Sequence, residues 1–143
     1  MAKRKQGKQR PFRPEALEAY AVPVLRPRLG PGATHWRYTV TVPLEEIKPK
    51  QRQKATLGDV TKLEQMLLKH FGGFTRPADS FGYGLRDPAR SEQAPETNVN
   101  AYFAVLTSPV SEAEAYFRAL RAELEEALDE GIILVERQEV WIP

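Results

Sequence analysis

From Thr34 to Val42 apolar and polar side chains alternate. Trp36, Tyr38, Val40 and Val42 share one parity, and His35, Arg37, Thr39 and Thr41 share the other. A period of two predicts a half-buried strand whose apolar side builds a core. The opposite phase would bury Arg37 and His35 while leaving two aromatics and two valines in water, and unpaired buried polar groups are costly. Further on, Leu57, Val60, Leu63, Leu67 and Phe71 recur every three or four residues, the spacing of one amphipathic helix face. Thr56 to Asp59 and Thr61 to Glu64 each fit a capping box, and Gly72-Gly73 supplies a C-terminal stop. Residues 80–86 alternate Phe81, Tyr83 and Leu85 with small or polar partners, predicting a second strand. Residues 98–107 predict a third, with Val99, Ala101, Phe103 and Val105 on one side. The polar segment from Asp87 to Glu96 joins the two. Ser111 to Glu114 fits another capping box, opening a helix with an apolar stripe of Ala113, Tyr116, Phe117, Leu120, Leu124, Ala127 and Leu128, with Gly131 as its stop. Residues 132–142 predict the last strand.

The order strand, helix, strand, strand, helix, strand is an α+β, ferredoxin-like βαββαβ layout, an antiparallel sheet with two helices on one face. It occupies residues 34–143. Residues 1–33 form a separate N-terminal basic, Pro-rich arm, in which Pro11, Pro14, Pro23, Pro27 and Pro31 keep any helix short. The stretch LLKHFGGFT, the glycine-aromatic strand after it and PETNVNAYF resemble small uncharacterised bacterial proteins of the same layout. That resemblance spans roughly the last two-thirds of the chain, implies the fold, and brings no catalytic signature or established activity.

Composition narrows the class. The chain has 143 residues, 41% hydrophobic and 28% charged, ordinary values for a soluble domain with a core of its own. No apolar run is long enough to span a bilayer, and the N-terminus lacks the apolar region of a secretory signal, so a cytoplasmic location is expected. There is no cysteine, hence no disulfide, thiolate or iron-sulfur chemistry. The net charge of +2 is unevenly placed: residues 1–28 carry +6 and the rest −4. A basic arm on an acidic body suggests an anionic partner.

Candidate chemistry follows from that asymmetry. Lys3, Arg4, Lys5, Lys8, Arg10 and Arg13 on the arm, with Lys48, Lys50, Arg52 and Lys54 in KPKQRQK, supply phosphate-binding charge, and sequence-nonspecific nucleic-acid binding is the leading expectation. Base stacking is missing, because only Tyr102 among the central-strand aromatics faces the open side of the sheet. The arm has two other destinations: an acidic protein surface, or the chain's own acidic helix, where residues 111–130 hold seven acids against two bases. The leading reading is therefore a non-enzymatic domain that forms a homo-oligomer and binds an anionic partner, foremost nucleic acid, through its arm. The alternative is a small-molecule-binding or catalytic domain using the open sheet face, where His35, Arg37, Arg86, Asn100 and Tyr102 would meet an anionic or planar ligand beside Gly82 and Gly84. A third is an interaction subunit without ligand, a homo-oligomer formed by stacking those faces. His70, in the last helical turn before Gly72, complements the helix C-terminus as a cation. As a general base it would need a carboxylate, for which Asp79 is nearest in sequence. Two histidines without ligand spacing provide no metal site, no dinucleotide, P-loop or nucleophile motif occurs, and nothing calls for a cofactor.

Overall fold

The computed structural model describes residues 10–25, 30–44, 55–84, 96–128 and 133–143. Among the described residues, four strands and two α-helices follow in chain order: β1 (Ala33–Pro43), α1 (Leu57–Phe71), β2 (Ser80–Gly84), β3 (Glu96–Thr107), α2 (Ser111–Ala127) and β4 (Val135–Ile142). The sheet order is β2-β3-β1-β4, and every neighbouring pair is antiparallel. The fold is therefore α+β and ferredoxin-like, as the alternating phases predict, with β1 and β3 central.

Burial follows parity on the central strands. Tyr38, Val40 and Val42 of β1 and Ala101, Phe103, Val105 and Thr107 of β3 are buried against the helices. They join Leu63 and Leu67 of α1 and Phe117, Leu120 and Leu124 of α2 in one cluster. Tyr38 lies flat on Phe117, with ring centroids 4.1 Å apart. Trp36 departs from expectation, being only partly buried at the rim of this cluster. Its cross-strand neighbourhood on β4 is polar, and the Arg137 guanidinium sits 4.1 Å from its ring centroid, which keeps one face of the indole in a cation–π contact.

The helix ends separate one realised signal from one that is not. At α1 the capping box is complete: Thr56 Oγ1 accepts from the Asp59 N–H, and Asp59 Oδ2 accepts from the Thr56 N–H. Gly72 closes the helix at φ 81°, its N–H donating to the Leu68 carbonyl. At α2 the box predicted at Ser111 does not form. The N-cap is Val110, whose carbonyl accepts from the Ala113 N–H, so Ser111 is already inside the first turn and its hydroxyl donates to Glu112 instead. Gly131, the predicted stop of this helix, lies outside the described residues.

The described part of the basic segment lies across the helices as a strap. It holds a 3-10 helix, Pro14–Tyr20, and a short 3-10 turn, Pro23–Leu25, both touching α1 and α2. Phe12, Leu17 and Leu25 are 1%, 0% and 0% exposed and belong to the core cluster. Arg10 forms a two-pronged pair with Glu123 of α2, at 2.7 and 2.8 Å, and the Arg13 N–H donates to the same carboxylate at 2.9 Å. The Phe12 N–H donates to Asp59 Oδ1, so one buried aspartate both caps α1 and anchors the strap. This is the chain's own acidic helix receiving the basic segment. Among the described residues no helix is long and apolar enough to cross a membrane.

Candidate functional site

Opposite the helices, strand register assembles a polar surface. Arg37 stands across from Leu106 on one side and Gln138 on the other; Thr39 stands across from Ala104 and Glu136. Residues paired across antiparallel strands share a face. These rows border a half-open cleft of about 540 Å³. Its sheet wall is Arg37, Thr39, Ala104, Leu106 and Gln138, and its other wall is the turn from Phe71 to Thr75 with Pro77.

The turn is held firmly. Beyond Gly72 the chain runs back along the edge of β3, where Thr75 and Ala104 exchange two backbone hydrogen bonds of 2.8 Å. Five residue steps from Thr75 to Ser80 match four steps from Ala104 to Asn100, so one extra residue bulges out between this bridge and β2. Arg76 clamps the bulge: it donates to Glu64 of α1 at 3.0 Å and to Asp79 at 2.7 Å, and its guanidinium lies 4.5 Å from the Phe103 ring centroid. A wall pinned at both ends is a pre-formed one, as small-molecule sites usually are.

Behind this wall, His70 settles its own role. Its Nδ1 lies 2.6 Å from the Tyr116 hydroxyl and its Nε2 lies 3.3 Å from Glu18 Oε2 of the strap. The carboxylate beside His70 is thus Glu18, while Asp79 is engaged by Arg76. Burial raises the Tyr116 phenol well above its ordinary pKa, so it stays protonated and available as a donor. The hydrogen bonds from Lys69 and then His70 lower the Glu18 carboxyl. The imidazole faces the packed helices and strap, and its neighbour Phe71, which contacts Tyr116 and Phe117, faces the cleft. His70 therefore locates the end of α1, and with it the cleft wall.

Of the five open-face residues expected from the sequence, the structure puts Arg37 on the cleft wall. His35 shares its parity and is 3% exposed; Asn100 and Tyr102 lie further along β3, where the Tyr102 hydroxyl accepts from Ser80 at 3.0 Å. Arg86 lies outside the described residues, as do Lys3, Arg4, Lys5, Lys8, Lys48, Lys50, Arg52 and Lys54. Sequence reasoning missed Gln138 and the turn from Phe71 to Pro77. Alternation along β4 carries a signal for the first; no local signal carries the second, since the Thr75 bridge depends on pairing with a strand about thirty residues away.

No family model matches this chain, and no curated protein matches it either. Among solved structures, a phage SAM lyase in complex with S-methyl-5'-thioadenosine superposes with a TM-score of 0.56 at 22% identity, over 82% of this chain and 89% of that one. The likeness establishes the shared fold. It also corrects the leading expectation of a non-enzymatic nucleic-acid-binding domain: this solved structure of the same fold is a lyase in complex with a small molecule. Of the two arm cations among the described residues, Arg10 is moreover bound to Glu123 within the chain, while the Arg13 side chain is exposed.

Proposed function

We propose that this chain is a small-molecule-binding domain of the enzyme class, and that the cleft between Arg37 and the Phe71–Thr75 turn takes an adenosine-bearing sulfur compound. The observation that carries this reading is the cleft itself, about 540 Å³, on a fold shared with a lyase that binds such a compound. Its volume falls within the roughly 300–1,000 Å³ of ordinary ligand pockets. Phe71 and Phe74 offer aromatic surface to a planar purine, and Gly72 and Gly73 let a ring approach the backbone closely. Thr39, Thr75 and Gln138 add hydroxyls and an amide suited to ribose and base edges.

Calorimetric titration with S-methyl-5'-thioadenosine tests the binding. Saturable uptake, abolished by filling the cleft with Ala104→Trp, is expected. Absence of binding at millimolar ligand overturns the reading. Incubation with S-adenosylmethionine, followed chromatographically, tests the enzyme class: the expected product is the free thioadenosine, released faster than in buffer alone.

A further inference from the structure

Most cations on the described surface are paired. Arg10 meets Glu123, Arg76 meets Glu64 and Asp79, Arg118 and Arg137 meet Glu114, and Arg121 meets Glu125. Arg37 differs. It is partly buried on the wall of a cleft, yet among the described residues it has no carboxylate, no aromatic face and no hydrogen-bond partner. On the same face of β4 the nearest acid is Glu136, opposite Thr39, and no ion pair forms between it and Arg37. A guanidinium partly shielded from water, with no counter-charge among the described residues, loses hydration without an internal partner to replace it. Such a group has a clear use in a binding site, since its planar fork matches a carboxylate with two parallel hydrogen bonds.

We infer that Arg37 is the anion-binding residue of the cleft, and that the ligand it selects carries an α-amino-acid carboxylate on the sulfur side of the nucleoside. The inference rests on the proposed function and sharpens it. S-methyl-5'-thioadenosine has no anionic group, so it engages the aromatic and amide parts of the cleft and leaves Arg37 unused. An S-adenosyl amino acid fills both parts. The strand register supports this division, because Arg37, Leu106 and Gln138 lie in one row across three strands. In that row the cation is central, with an apolar side chain on one side and an amide on the other, and no acid stands in the row to repel a carboxylate.

The test compares two probes that share the nucleoside, S-methyl-5'-thioadenosine and S-adenosyl-L-homocysteine, by calorimetry on the full chain and on Arg37→Gln and Arg37→Lys. The Gln variant should bind the homocysteine conjugate about 10- to 100-fold more weakly, the usual worth of a charge-assisted pair, and bind the methylthio compound unchanged. The Lys variant should recover part of the loss, since it keeps the charge without the fork. Unchanged thermal melting of both variants would show that the losses are local. Equal weakening toward both probes, or none toward either, overturns the assignment of Arg37 and leaves the proposed function standing. A wild-type chain that takes up neither probe overturns both.

Discussion

The two sides of the sheet handle polar groups in opposite ways. On the helix side, the strap brings Arg10 and the backbone N–H groups of Phe12 and Arg13 against Glu123 and Asp59, and each finds an acceptor within 3.0 Å. Apolar anchors at Phe12, Leu17 and Leu25 accompany them into the core. On the other side, a cleft of comparable chemical variety leaves Arg37 without a partner among the described residues. The contrast separates stability from function. Polar groups that complete one another hold the chain together, whereas one left incomplete at a cavity wall is poised for something from outside.

The sharpest way to break this comparison is to weaken one side and watch the other. Phe12→Ala removes a fully buried ring from beneath the strap and should cost about 3–5 kcal/mol of unfolding free energy, read from urea denaturation. Arg37→Gln, with no intramolecular bond to lose among the described residues, should stay within about 0.5 kcal/mol of wild type. If the two variants were equally destabilised, Arg37 would be a structural residue and the division would fail.

The strand phases were legible because alternation is a local property. Val40, Phe103 and Val105 lie where parity puts them, and the same logic located the Thr56–Asp59 cap and the Gly72 stop. Composition misled over the basic segment. Residues 1–13 carry six bases and little apolar surface, which argues for a free arm, yet Phe12 is the residue that docks and Arg10 the one that pairs. Its partner Glu123 lies 113 positions away, a separation that no local pattern encodes. The cleft was half legible for the same reason. Arg37 could be assigned to the open face, but its lack of a carboxylate among the described residues depends on register placing Gln138 opposite it, with Glu136 one row away on the same face.

A smaller effect is expected at the turn that the two sides share. Gly72 adopts φ 81°, and a Cβ there would meet nothing within 4 Å, so Gly72→Ala isolates the backbone cost of the left-handed conformation. That cost is about 1–2 kcal/mol. Because Gly72 lines the cleft wall, the variant should also weaken binding of S-methyl-5'-thioadenosine, whereas Phe12→Ala, at temperatures where it remains folded, should not. A Gly72→Ala chain with unchanged stability would mean that the turn can relax, and the picture of a pinned wall would need revision.

The smallest effect, and the one that asks whether the two sides communicate, is the acid response of Glu18. This strap carboxylate accepts from Lys69 at 2.8 Å and lies 3.3 Å from His70, and these contacts hold its pKa below the ordinary carboxylate range. A group whose pKa is lowered by folding stabilises the native state when ionised. Its contribution is in place above the unfolded-state pKa and disappears as pH falls through the folded one. Wild type should therefore lose slightly more stability than Glu18→Gln between neutral pH and about pH 3, with the two curves converging at the acid end. Glu18 is half exposed, so the gap will be modest and will shrink further in high salt. Ligand affinity at neutral pH provides the decisive comparison. Tyr116 holds His70 from the helix side at 2.6 Å and the Thr75 bridge holds the turn from the sheet side, so the wall should keep its place without Glu18. Unchanged binding of S-methyl-5'-thioadenosine by Glu18→Gln is thus the expected result. A matching loss of affinity would show that the strap positions the cleft as well as closing the core.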